Sequence, residues 1–150
     1  MYDGLESYLA PIVFGIPGVK GVSFGDGFEA AARMGSENND PFLIEETEDP
    51  VTGETKKRII TATNHAGGIL GGITDGMDVL MDVAFKPTAS IARDQQTVDR
   101  IEMKDAVLSI GGRHDPCIAV RAVPVVEAAM ALGLLDAICA TLADGGDIDF

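Results

Sequence analysis

The chain has no tryptophan, two tyrosines, six phenylalanines and only two cysteines in 150 residues. With Cys117 and Cys139 as the whole thiol complement, a disulfide framework is excluded and a reducing, cytoplasmic compartment is expected. Cationic residues are scarce too, 11 Lys and Arg against 24 Asp and Glu, for a formal charge of −13. Such a surface repels a phosphate backbone or an anionic bilayer, so neither nucleic acid nor membrane is expected as a partner. The most apolar stretch, Ala128 to Leu135, is closed by Glu127 and Asp136 and falls well short of the roughly 20 residues of a bilayer span. Histidine is limited to His65 and His114; with two cysteines they make a poor zinc set, and no metal site is expected.

What the chain does have is glycine, 18 in all, with an ordinary apolar share of 46%. Its length fits one compact domain covering residues 1–150. Leu5, Leu9, Ile12 and Val13 recur at helical spacing until Gly15 and Pro17, and Val19 to Phe24 then reads as a strand. Phe28 to Met34 favours a helix ending at Gly35. Phe42–Ile44 and Arg58–Ile60 read as two strands joined by an exposed acidic loop. Met77, Val79, Met81, Val83 and Phe85 alternate with Asp78, Leu80, Asp82 and Ala84, a period of two that predicts a strand over 77–85. Ile101 to Ile110 predicts another strand, and Val125 to Leu142, apolar nearly all round after Pro124, a buried helix. Helices mixed with meandering strands, lacking a regular strand–helix–strand repeat, indicate an α+β fold of layered helices and antiparallel sheet.

Three stretches carry candidate chemistry. Asn64-His65-Ala66-Gly67-Gly68-Ile69-Leu70-Gly71-Gly72-Ile73 is too rich in glycine for an ordinary element, because each glycine there costs about 0.5–1 kcal/mol relative to alanine. It is either a tight chain crossing in the core or a place where backbone approaches a ligand; its spacing is not that of a dinucleotide fingerprint. Lys86-Pro87-Thr88-Ala89-Ser90 sets an ammonium and two hydroxyls just past the alternating strand, suited to a phosphate, or is a plain strand exit. Gly112-Arg113-His114-Asp115-Pro116-Cys117 offers a guanidinium for an anion and a carboxylate for proton handling, or an Arg113–Asp115 ion pair in a connector.

Taken in order with Gly25-Asp26-Gly27-Phe28, Gly35-Ser36-Glu37-Asn38-Asn39-Asp40 and Arg121-Ala122-Val123-Pro124, these segments resemble the chorismate synthase family. The resemblance implies half of that family's β-α-β sandwich and the part of its chain after the N-terminal catalytic segments. It further implies reduced FMN as cofactor, 5-enolpyruvylshikimate 3-phosphate as substrate in a 1,4-elimination without net redox change, and a homotetramer. Carried over by position, Pro17, Gly18, Gly71, Lys86, Pro87, Thr88, Ala89, Ser90 and Arg113 line the FMN site and Asp115 is the catalytic carboxylate. The family's two catalytic histidines, its arginine-serine-serine segment and most of its substrate-phosphate arginines belong to the N-terminal half. The chain alone is therefore expected to be inactive, or to act with a partner chain that carries them.

Overall fold

The structure, a computed structural model, describes residues 4–48, 53–113 and 117–146. It opens with helix α1 (Leu5–Phe14), whose Leu9 and Val13, four apart on one face, are the two most deeply buried large side chains. Gly15 closes α1 by donating its N–H to the Pro11 and Ile12 carbonyls. Strand β1 (Val19–Phe24) follows, then a 3-10 segment (Gly27–Ala32) where the sequence predicts an α-helix. Gly27 at φ +51° enters that segment tightly wound, and the last turn is held by Arg33 N–H to the Ala30 carbonyl. A single turn, α2 (Gly35–Asn38), has Glu37 reaching back to the Met34 N–H.

Strands β2 (Phe42–Glu48) and β3 (Thr55–Thr61) form the predicted antiparallel ribbon in unbroken register, Phe42 opposite Thr61 and Glu48 opposite Thr55. Glu45, Glu46 and Glu48, expected in the acidic loop, lie in β2 instead, and two of them are paired across the ribbon, Glu45 with Arg58 at 2.6 Å and Glu46 with Lys57 at 2.7 Å. Two short strands, β4 (Ile69–Leu70) and β5 (Ile73–Thr74), pair across Gly71 and Gly72. Both of those glycines have positive φ, +59° and +86°, which is the conformation a two-residue hairpin turn demands.

The strand expected over 77–85 is half right. Only β6 (Met81–Phe85) enters a ladder, antiparallel to β1 with Phe24 opposite Met81 and Val19 opposite Phe85. Met77 to Leu80 instead lies along the glycine run, where Leu80 N–H donates to the Gly67 carbonyl at 3.1 Å. The strand expected over 101–110 is a hairpin arm: β7 (Gln95–Asp99) pairs with β8 (Lys104–Leu108). Asp99 accepts the Ile101 and Glu102 amides, and Met103 turns at φ +48°, so residues 100–103 cannot extend the strand.

Helix α3 (Ala119–Ala143) begins ahead of Pro124, which sits inside it, and runs 25 residues. By length and composition alone it is long enough to cross a membrane, which corrects the estimate made from its most apolar stretch. It is also not the buried helix the apolar pattern predicts: Val120, Leu132, Leu135 and Leu142 are all more than half exposed. The reason is that, among the described residues, α1 is the one element that packs broadly against α3. Gly133 lets α1 approach there, since a Cβ at 133 would stand 2.7 Å from Leu9 Cδ2, and Tyr8 donates its hydroxyl to Asp136 beside it. The fold is thus α+β, with helices and four separate two-stranded antiparallel ribbons, and a small core where α1 meets β1 and α3.

Candidate functional site

Two ends of one structure carry the candidate residues, and β1, β6 and α1 fix both. At the first end, Gly18 precedes β1 and Lys86 follows β6, so the register of that ribbon brings them side by side. The Lys86 N–H donates to the Gly18 carbonyl at 2.8 Å. Gly18 has φ +95°, and a Cβ there would meet Ile118 Cδ1 at 3.3 Å and Phe85 Cδ1 at 3.5 Å. The residue just ahead of α3, Ile118, is therefore packed onto the same corner. Pro17, Lys86, Pro87, Ala89 and Arg113 are exposed, while Thr88 and Ser90 are half-buried. Lys86 makes no ion pair with any described residue, whereas Thr88 has a bonding partner. An exposed ammonium above two half-buried hydroxyls is a donor set that suits phosphate oxygens. Asp115, His114 and Pro116 lie outside the described residues.

At the second end stands the glycine run, part of which is the tight chain crossing that the sequence suggests. Gly25, Gly67 and Gly68 make a tight chain crossing: a Cβ on Gly25 (φ +53°) would lie 2.1 Å from the His65 carbonyl oxygen, and one on Gly68 (φ +76°) would lie 2.5 Å from that of Asp78. A Cβ on Gly72 (φ +86°) would lie 2.7 Å from Gly4 Cα, and Leu5 N–H caps this contact by donating to the Gly72 carbonyl at 2.9 Å. Gly71 differs, because at φ +59° it has nothing within 4 Å of where a Cβ would point. That face of the backbone is open. Gly71 and Gly18 stand at opposite ends of α1, whose ten residues span about 15 Å, so a ligand touching both must be elongated.

The side chain that organises this second end was not among the predicted site residues. Asp40, its side chain 1% exposed, accepts Thr63 Oγ1–H (2.6 Å) and His65 N–H (2.9 Å) at Oδ1 and Ala66 N–H (2.9 Å) at Oδ2. His65 Nδ1 stands 3.1 Å from Asp40 Oδ1 but off the line of a hydrogen bond, and is buried without a partner. Burial pushes the Asp40 carboxyl upward, but donation from Thr63, Ala66 and His65 and the imidazole's charge outweigh it, so the group sits below the usual carboxylate range. Asn64 grips the run from the other side, its Oδ1 accepting Gly68 N–H (2.7 Å) and its Nδ2 donating to the Asp78 carbonyl (2.8 Å). Beside this network is a recess of about 360 Å³ lined by Asn38, Asn39, Asp40, Phe42, Ala66 and Leu70. A larger hollow of about 740 Å³, at the turn of the β7–β8 hairpin, contains none of the predicted residues. Among the described residues no group of His, Cys, Asp and Glu forms a metal cluster.

A family model described as chorismate synthase matches residues 1–139. The chain belongs to the chorismate synthase family. A chorismate synthase of Archaeoglobus fulgidus is 53% identical over 136 residues, covering 91% of this chain and 35% of the relative. Those of Pyrococcus abyssi (47%, covering 89% of this chain and 35% of the relative) and Desulfovibrio desulfuricans (49%, covering 92% and 36%) are similar to it over the same span. A crystal structure titled as chorismate synthase overlays 57% of this chain and 23% of its own at 35% identity, with a TM-score of 0.44, too loose to carry an argument. The chain thus spans about a third of the length of the chorismate synthases it matches.

Proposed function

We propose that this chain forms the C-terminal part of the FMN site of a chorismate synthase. That enzyme removes phosphate from 5-enolpyruvylshikimate 3-phosphate by 1,4-elimination. The observation that carries the reading is the Lys86–Gly18 hydrogen bond, which joins two segments 68 positions apart in sequence that the family resemblance assigns to one cofactor. Lys86, Thr88 and Ser90 would hold the flavin phosphate, Arg113 would face flavin and substrate, and the open face of Gly71 would let the ring lie against backbone. Reduced FMN would supply the electron-rich partner that the elimination needs, and Asp115 is assigned the proton beside it. A local cation on an acidic protein is what a phosphate ligand requires, because a shaped site overrides the net field at short range.

Turnover by this chain alone is not expected. By the family resemblance the two catalytic histidines are not among these residues, and positioned acids or bases contribute typically 10²–10⁴-fold each. The test is an anaerobic titration with reduced FMN and 5-enolpyruvylshikimate 3-phosphate, following flavin absorbance and phosphate release together. Flavin binding without release supports the proposal; release shows that this part suffices, and no binding removes the flavin reading.

The exposure of α3 favours a second reading, in which the chain is a single non-catalytic module completing a flavin half-site and an oligomer with a partner chain that carries the rest of the enzyme. Co-purification with such a chain, and its failure after charges are placed on α3, decides this. The Tyr8–Asp136 bond, the Gly133 contact and the charges of Glu127 and Asp136 within α3 support a helix packed in a cytoplasmic protein, not one that spans a bilayer.

A further inference from the structure

The buried carboxylate of Asp40 accepts three hydrogen bonds, and no step of the reading above uses it. Its three bonds do not join distant elements at random. They end on Thr63, His65 and Ala66, the residues leading into the glycine run. His65 in turn offers its carbonyl to the Asp26 N–H at 2.8 Å, directly beside the Gly25 crossing. Ala66 and Leu70, with Asp40 itself, wall the recess of about 360 Å³, a volume at the small end of ligand pockets, and Leu70 is followed by open Gly71. Asn38, on the same wall, keeps a buried Oδ1 without a partner.

We propose that Asp40 is a positioning residue: by holding the 63–66 backbone from below while Asn64 ties Gly68 to Asp78, it sets the path of the glycine run and so the placement of Gly71 against a bound flavin. The inference rests on the reading that Gly71 faces the flavin. Asp40 does not touch the ligand; it acts through the two amides it accepts. A carboxylate is suited to this because both oxygens accept, so the Thr63 hydroxyl and both amides are met. An amide in its place turns one acceptor into a donor facing another donor.

The test compares Asp40→Asn and the milder Thr63→Val, which removes one donor, with Lys86→Gln, which alters a residue placed at the ligand. Reduced FMN is titrated anaerobically into each, and backbone hydrogen exchange is followed well below each thermal midpoint. Asp40→Asn is expected to weaken flavin about 10- to 100-fold and to speed exchange at residues 64–72, with Thr63→Val showing both changes to a smaller degree. Lys86→Gln is expected to weaken flavin while leaving that exchange unchanged. Should Asp40→Asn not fold, Thr63→Val carries the comparison. Unaltered exchange over 64–72, or altered exchange with wild-type flavin affinity, overturns the proposal. If the unmodified chain binds no flavin, the functional reading fails by itself, and the exchange result still decides whether Asp40 governs the run.

Discussion

Replacing Gly25 and Gly71 by alanine, one at a time, separates the two jobs of the glycines. Both have positive φ, +53° and +59°, so an L side chain costs about 1–2 kcal/mol at either position. Alanine also restricts the unfolded chain, which returns roughly 0.4–1 kcal/mol in both cases. The difference lies in the space. At Gly25 the new Cβ would stand 2.1 Å from the His65 oxygen, 2.6 Å from the Gly67 nitrogen and 2.7 Å from the Ala66 carbon, all backbone. No rotamer relieves such a contact, so the crossing must open, which breaks the Gly25–Leu80 bond of 3.1 Å and adds an overpacking cost of about 1–3 kcal/mol. Gly25→Ala should therefore destabilise by roughly 2–4 kcal/mol and Gly71→Ala by about 1 kcal/mol or less. Urea unfolding followed by circular dichroism measures both. Flavin affinity should show the reverse emphasis, since the Gly71→Ala methyl projects into the face proposed to meet the ring. Equal loss of stability from the two variants would refute the distinction between a crossing and an open face, and unchanged flavin binding in Gly71→Ala would refute the approach at that face.

Three further outcomes follow from particular contacts. Because the Asp40 carboxyl is held below its unfolded value, it contributes stability that is present above the unfolded pKa and lost as pH falls through the folded one; acid unfolding should show that limb, and Asp40→Asn should flatten it. The Tyr8 phenol is raised, first by its hydrogen bond to Asp136, then by desolvation and by the carboxylate's charge, so its favourable term persists below the ordinary phenol range and disappears as pH rises through the raised value. Ultraviolet titration should find that group ionising late, and Asp136→Asn should bring it earlier. Light scattering of the chain alone should show self-association through α3 that Leu132→Glu, at a position 66% exposed, reduces; a monodisperse monomer at all concentrations would count against this.

Much of the scaffold was legible where burial imposes a period. The Leu9–Val13 face of α1 and the strand over Val19–Phe24 could be read because one side of each meets the core. The β7 strand could not, since Gln95-Gln96-Thr97-Val98-Asp99 is mostly exposed and carries no alternation. The run from Met77 kept its period of two beyond the ladder because its neighbour is glycine backbone, which an extended chain also accommodates. At the site, Gly18 and Lys86 were linked only by resemblance; their bond is a consequence of the β1–β6 register, which local pattern does not encode. Asp40 was quoted within a motif but given no role. A buried acid beside Pro41 looks like any turn aspartate until its donors, 23 to 26 positions later, are in place.

The apolar pattern of α3 was read correctly and its burial was not, and the gap between the two marks a surface suited to a partner. A helix that is apolar nearly all round is stable in water only with neighbours on every side. Here α1 covers one side, and each sheet is a two-stranded ribbon, the smallest unit that pairs backbone and one that rarely stands alone. Strands from a partner chain are expected both to widen those ribbons and to cover α3. The chain spans about a third of its relatives' length, and the corner at Gly18 and Lys86, where flavin is proposed to bind, sits at the end of one such ribbon. Completing the sheet and completing the site are therefore expected to be one event, so that a partner chain which raises the thermal midpoint should also tighten flavin binding, and one that does either without the other would separate them.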